Sequence, residues 1–290
     1  MKKMPTTSVM MPVLIHIHVY YHHLWAELRD GVRRVEELGG GYRLVVTMVE
    51  PHPEMEAVQS FFPGAEVRVV PNRGYDIAPF LEVLQSVNLD DYSYVVKLHT
   101  KRDMPGDVYL KPMPYNYGGS RWREYLLNFC RREHLPRIMQ RFALEPDLGM
   151  VADYRLIRRT KEARFVAPLD DLLTRSGLQN KGYQYVMGSM FICRACLLAP
   201  LKTLGFGTDD FPAADEAHAE NLAHVLERFL GLAVVAQGYR IADVFSGRWE
   251  QSSLRRQLLQ IWSFIYSAKR KSNGGIIVKI LKVPVYASKK

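Results

Sequence analysis

Cysteine is scarce, with only Cys130, Cys193 and Cys196 in 290 residues. So few thiols, so unevenly placed, exclude a disulfide framework and favour a reducing compartment. Cys193 and Cys196 form a Cys-x-x-Cys pair, but no second pair completes the roughly four ligands of a zinc site, so burial of two small apolar thiols is the simpler reading. Long apolar runs are missing too. No stretch reaches the ~18 consecutive apolar residues of a membrane-spanning helix. Behind Met1-Lys2-Lys3, the apolar stretch is broken by Pro5, the Thr6-Thr7-Ser8 run and Pro12 before a signal-peptide core can form. A chain made and kept in the cytoplasm is the expectation. Internal repeats and low-complexity runs are absent as well. With 48 % hydrophobic and 24 % charged residues, this is the composition of an ordinary globule rather than a disordered or fibrous chain.

Acids are nearly lacking in one segment. From Arg248 to Lys290 there are ten Lys or Arg residues and the single acid Glu250, which accounts for the whole net charge of +9 and leaves residues 1–247 formally neutral. A uniformly basic protein would suggest a nucleic-acid partner, and this charge distribution argues against one. Basic residues set beside an apolar stripe at helical spacing (Leu254, Leu258, Ile261, Trp262, Ile265) suit an anionic membrane surface; a solvated tail or packing onto the body are the plainer alternatives. The expected organisation is a domain over 1–247 and a basic amphipathic C-terminal extension over 248–290, forming a helical tail.

What is present is alternation. Strand-like Val13 to Tyr21 leads to helical Leu24 to Leu38, stopped by Gly39-Gly40-Gly41; strand Tyr42 to Val49 leads to a short helix ending at Phe62. Strand Glu66 to Val70, helix Ile77 to Val87 and strand Tyr92 to Leu98 follow. Such a series predicts an α/β fold with a mainly parallel central sheet, whose ligands bind outside the carboxyl ends of the strands. Further on, Leu148 to Ala152, Tyr185 to Cys193 and Leu232 to Ala236 read as strands, and Asp215 to Leu230 as a helix.

Chemistry-bearing residues gather at the predicted strand ends. His16, His18, Tyr20 and Tyr21 close the first strand. Asn72-Arg73-Gly74-Tyr75-Asp76 follows the third: it offers a glycine for close approach, an arginine for phosphate and a carboxylate for ribose or base, or else simply a turn capping the next helix. Lys97-Leu98-His99-Thr100-Lys101 ends the fourth strand, with His99 and Lys101 on one side by alternation, where an imidazole and an ammonium suit a diphosphate. The long stretch Arg102 to Asn116 has the length of a functional lid. Ser120 is a candidate N-cap with Arg121 and Arg123 beside it, and Trp122 could stack on a sugar or pack in the core. On the later helix, Glu220, His224, Glu227 and Arg228 recur at three- and four-residue spacing, so acids and an imidazole share one side.

Taken in order, His16-Ile-His18-Val-Tyr-Tyr21, Asn72-Arg-Gly-Tyr-Asp76, Lys97-Leu-His-Thr-Lys101, Gly188-Ser-Met-Phe191 and His224-Val-Leu-Glu-Arg228 resemble the rhamnan-synthesis protein F family over about residues 13–240, and Arg121-Trp-Arg123 also fits the pattern. The resemblance implies a GT-A-like nucleotide-sugar-binding fold and a glycosyltransferase of cell-surface polysaccharide or O-antigen assembly, with rhamnosyl transfer as one specificity it suggests. Its partners would be a nucleotide-sugar donor and a glycan or lipid-linked glycan acceptor, reached from the cytoplasmic face of a membrane. It places Tyr20, Asn72, Gly74, Asp76, His99, Lys101 and Ser189 on the donor side. Across the cleft it places Gly188 to Phe191 and the His224 to Arg228 helix; the individual roles are inferred from residue type, with Glu220, His224 and Glu227 as catalytic candidates and Trp122 and Arg228 towards the acceptor. Two departures stand out. His99-Thr100-Lys101 occupies the place where many GT-A enzymes carry an Asp-x-Asp metal motif, so a Mg or Mn cofactor is open, and Ala219-Glu220-Asn221 leaves open which acid acts as base. A non-catalytic carbohydrate-binding or scaffold subunit is the alternative reading. A nucleotidyltransferase ranks third, because no Gly-rich phosphate loop follows the first strand.

Overall fold

Apolar strands and amphipathic helices alternate through the first hundred residues as the sequence predicts. The structure, a computed structural model, describes residues 12–110, 115–160, 162–213 and 222–245, together with strands 266–270, 276–280 and 283–287. β1 (Val13–Val19) is buried throughout. α1 (Trp25–Glu36) turns Trp25, Leu28, Val32 and Val35 inward at helical spacing. Full burial of each such side chain is worth about 1.5–3 kcal/mol. β2 (Tyr42–Met48), α2 (Glu54–Phe61), β3 (Glu66–Val69), α3 (Ile77–Gln85) and β4 (Tyr94–His99) complete the repeating unit.

The second half adds α4 (Arg121–Leu126), α5 (Leu135–Leu144), β5 (Leu148–Ala152), β6 (Ile157–Arg159), α6 (Ala163–Arg175), β7 (Gln184–Val186), β8 (Phe191–Arg194), α7 (Ala199–Thr203), α8 (Leu222–Ala236) and β9 (Arg240–Asp243). Seven strands form one sheet in the order β3-β2-β1-β4-β8-β5-β9. β8 runs antiparallel to β4 and β5, and the other pairs are parallel. The mainly parallel α/β architecture is therefore present. The reversed strand matters for function, because it brings the residues just before β8 to the same sheet edge as the carboxyl ends of β1 to β4.

Three local expectations give way. The strand expected over Tyr185 to Cys193 breaks into β7 and β8, because Gly188 (φ 82) and Ser189 (φ 50) take left-handed backbone between them. The strand expected over Leu232 to Ala236 is the end of α8. Its β-branched Val234 and Val235 favour strand locally, yet Phe229, Leu230, Ala233 and Val234 continue the buried face, and the helix closes only at Gly238 (φ 90). The helical tail is strand where it is described: β10 (Tyr266–Arg270), β11 (Ile276–Ile280) and β12 (Val283–Ala287) form an antiparallel three-stranded sheet. The β-branched run Ile276-Ile277-Val278 favours strand. The apolar stripe Leu254 to Ile265 lies outside the described residues.

Candidate active site

Strand register builds the site. His16 sits opposite Lys97, and His18 opposite both His99 and Thr47, so period-two alternation puts all five on one face of the sheet. α3 covers them: the Phe80 ring stacks on His16 at 5.6 Å and lies 5.3 Å from the Lys97 ammonium. Thr47 Oγ1 is 2.9 Å from His16 Nε2 and 3.0 Å from His18 Nδ1. Its one hydroxyl proton goes to one imidazole, and the other imidazole donates to the oxygen. Burial, followed by the neighbouring charges, holds His16 well below its ordinary pKa and brings His18 down to about 3. Both rings are neutral.

Lys97 is completely buried, and a buried ammonium needs a counter-charge. Asp76, at the start of α3, supplies it. The ammonium donates to Asp76 Oδ2 and, at 3.1 Å, to Ser189 Oγ, while the Ser189 hydroxyl donates to the same carboxylate oxygen. His99 Nε2 stands 3.8 Å from that oxygen. Burial alone would raise the Asp76 pKa, but His99, Lys97 and the hydrogen bonds together outweigh it and hold the carboxyl well below the usual range. Burial pulls Lys97 down, opposed by Asp76.

The backbone around this triangle is strained in a symmetric way. Among the described residues, Tyr75 (φ 55) and Ser189 (φ 50) are the non-glycine residues with left-handed backbone, and each follows a left-handed glycine, Gly74 (φ 62) and Gly188 (φ 82). Such residues cost about 1–3 kcal/mol each and persist where their surroundings hold them. Here the surroundings are visible. A Cβ on Gly74 would meet Phe211 and Ala78 at 2.6–2.7 Å. The Gly188 N–H donates to Glu227 Oε1 at 2.6 Å, and the Gly188 carbonyl lies 2.9 Å from His99 Nε2. Burial raises the Glu227 pKa, opposed by the Gly188 hydrogen bond and Arg228.

The expected site residues divide by what they touch. Asp76, His99, Ser189 and Glu227 meet as described, and His224 joins them through an edge contact of 5.6 Å to Tyr75. Burial, then Arg228, lowers the His224 pKa and so favours the neutral ring. Lys101 stands over the Trp122 ring at 4.6 Å. Tyr20 and Asn72 are exposed, and the Tyr20 N–H donates to Thr100 Oγ1 at 2.9 Å. Arg228 is packed rather than projecting: its guanidinium lies 3.6 Å from the Phe165 ring and 5.0 Å from Tyr185, and it donates to the His224 carbonyl at 2.8 Å. Glu220 lies outside the described residues.

Anion-binding devices expected from sequence are used up by the fold. Arg73 donates to the Phe211 carbonyl at 3.0 Å. At the start of α3, the N–H groups of Ile77 and Ala78 both donate to the Gly74 carbonyl, and Pro79 has none. Ser120 makes no cap and instead donates to Glu124 at 2.6 Å, while Arg123 is held by Glu27 and Asp103.

Sequence reasoning gave Lys97 no role within its strand-end motif, and missed Thr47. A lysine inside the apolar strand Tyr94-Val95-Val96-Lys97-Leu98 was the available signal, since lysine is almost never buried without a partner. Tyr75 gave no signal, because a tyrosine in left-handed backbone is not legible from residue type.

A Mg or Mn ion takes hard oxygen ligands. Asp76 Oδ2 accepts from an ammonium and a hydroxyl, and the Glu227 carboxylate accepts from a backbone N–H and lies 3.5 Å from Arg228. Among the described residues, no three His, Cys, Asp or Glu side chains are grouped to hold an ion. The described donor set does not fit one.

The chain is 28 % identical over 235 residues to WxcX of Xanthomonas campestris pv. campestris, covering 79 % of this chain and 32 % of that protein. It thus spans about a third of the length of the curated relatives it matches. Among solved structures, 4-diphosphocytidyl-2C-methyl-D-erythritol synthase is 13 % identical with a TM-score of 0.34, covering 77 % of this chain and 99 % of that one. TarS of S. aureus is 12 % identical with a TM-score of 0.40, covering 80 % and 58 %. Residues 1–239, which include every motif gathered around Asp76, match the family described as rhamnan synthesis protein F, and the chain belongs to that family.

Proposed function

We propose that the chain is a GT-A-like glycosyltransferase of cell-surface polysaccharide synthesis, moving a sugar from a nucleotide-diphosphate donor to a growing glycan or lipid-linked glycan. One observation carries the reading. Four motifs scattered over more than 150 residues, at 72–76, 97–101, 188–191 and 224–228, converge on one sheet edge and are tied together through Asp76, Lys97, Gly188, Ser189 and Glu227. In α/β sheets that edge is where ligands bind.

The reaction is a single displacement. An acceptor hydroxyl oxygen forms the new bond to the anomeric carbon, the bond to the diphosphate breaks, and its electron pair leaves on the nucleoside diphosphate. The hydroxyl proton passes to a base. His224 suits that role: its lowered pKa favours the neutral imidazole, and the half-buried ring lies in edge contact with Tyr75. Glu227 acts differently, because its carboxylate holds the Gly188 N–H and so positions the left-handed turn. Glu220 is the second candidate base. The excess of basic residues in 248–290 supports a place beside an anionic membrane surface, where lipid-linked acceptors reside.

The test is donor consumption. The full chain is incubated with nucleotide-diphosphate sugars, an activated rhamnose first, with and without glycan acceptors, and nucleoside diphosphate release and extended glycan are measured. Release coupled to glycan extension is expected. Carbohydrate binding with no donor consumed would instead identify a scaffold subunit.

A further inference from the structure

We propose that Tyr75 is the residue against which the acceptor's terminal sugar ring rests, with the sugar's reacting hydroxyl turned to His224. The inference rests on the glycosyltransferase reading and names the residue that takes the glycan in that site.

Three observations converge. First, the tyrosine is held in a conformation that its own side chain resists. Tyr75 has left-handed backbone (φ 55), and so does Gly74 before it. The turn is pinned on both sides: Gly74 packs against Phe211 and Ala78 with no room for a Cβ, and Asp76 accepts from Lys97 and Ser189. Glycine and asparagine tolerate such backbone far better than a bulky aromatic residue, so the turn by itself gives no reason for a tyrosine. Second, the ring recovers little of that cost by burial, because Tyr75 is 47 % exposed. Strain kept at an exposed side chain, where the fold gains little from it, points to contact with something outside the chain. Third, the neighbour of that ring is the candidate base. The Tyr75 and His224 rings lie in edge contact, centroids 5.6 Å apart.

A ring-shaped ligand seated against Tyr75 is thus brought beside His224. That ring is the acceptor sugar, since the proton the base takes is the acceptor's. Tyrosine suits it: the aromatic ring offers flat apolar area to the C–H face of a sugar, the phenol O–H pairs with a sugar hydroxyl, and few torsions are fixed by the contact.

Titration of the full chain followed by saturation-transfer NMR tests the proposal. The acceptor probes are the methyl glycosides of rhamnose, glucose, mannose and N-acetylglucosamine, and the donor probes are UDP, GDP, CDP, ADP and dTDP. At least one glycoside is expected to bind. Tyr75→Asn should weaken it about tenfold or more with nucleoside diphosphate affinity unchanged, while Tyr75→Phe keeps most of the affinity. Tyr75→Asn should also melt at the same temperature as the unsubstituted chain or higher, because it relieves the backbone and gives up little burial. A tyrosine that serves only the fold would do the reverse. Four results each overturn the acceptor contact and leave the transferase reading standing: glycoside binding indifferent to Tyr75→Asn, an equal loss of diphosphate affinity, a lowered melting temperature, or no glycoside bound by a chain that binds a diphosphate. Absence of binding to every glycoside and every diphosphate overturns both.

Discussion

Asp76 and Ser189 lie 113 residues apart in the chain and share a hydrogen bond in the fold, with the Lys97 ammonium donating to both. The loop after β3 and the turn before β8 are thereby joined through one buried charge.

Removing that charge should be costly. Lys97→Met leaves the Asp76 carboxylate buried without its cation, and an uncompensated buried charge destabilises by about 3–5 kcal/mol. The double variant with Asp76→Asn should lose less than the sum of the two single changes, because the two residues act on each other. Urea unfolding of the four proteins measures the coupling, and simple additivity would contradict the pairing.

Gly74 and Gly39 separate strain from clash. Both have left-handed backbone, φ 62 and φ 74, but a Cβ meets nothing within 4 Å at Gly39 and strikes Phe211 and Ala78 at Gly74. Gly39→Ala should cost about 1–2 kcal/mol, the left-handed penalty alone. Gly74→Ala should cost about 2–5 kcal/mol, with overpacking added. Equal losses in thermal unfolding would rule out the close packing against Phe211.

Acid should weaken the fold through its buried histidines. His18 is neutral when folded, with a pKa brought down to about 3 by burial, whereas the unfolded chain takes up its proton near the ordinary value. A depressed folded pKa means stability is fully present above about pH 6.5 and is lost as pH falls towards about 3, by up to about 1.4 kcal/mol per pH unit for each such group. His16, lowered in the same direction, adds to the slope. Asp76, also depressed, contributes only below the ordinary carboxylate range. Denaturant unfolding between about pH 7 and about pH 5 should show this slope, and His18→Gln should flatten it.

His224 and Glu227 should separate kinetically. His224→Gln should lower kcat by about a hundredfold or more with donor affinity nearly unchanged, since a base acts in the transition state. Glu227→Gln keeps an acceptor for the Gly188 N–H, so its kcat should fall less, and Glu227→Ala should alter KM and kcat together by releasing the turn. A His224→Gln variant with wild-type kcat would move the base to Glu220.

The strand and helix order through His99 was legible because each element shows its own period. So was the sheet edge at which His16, Asp76 and His99 would meet, since parallel strands carry their ligands at their carboxyl ends. Other features were not. Arg73 and Arg228 look like anion binders in sequence, but the fold spends one on the Phe211 carbonyl and stacks the other on Phe165. Residue type names a chemistry but not the neighbour that consumes it.

By itself, then, the sequence determined the α/β alternation, the family motifs and the neutral body with its basic extension, because hydrophobic periodicity and charge are local properties of the chain. Only the tertiary structure decided that Lys97 is the buried counter-charge of Asp76, that Gly188 and Ser189 form a left-handed turn instead of a continuous strand, and that 232–236 stay helical. The first two depend on β8 running antiparallel beside β4, which brings residues 76, 97 and 189 together, and the third on the buried face of α8; contacts made across such distances leave no periodic trace in the chain.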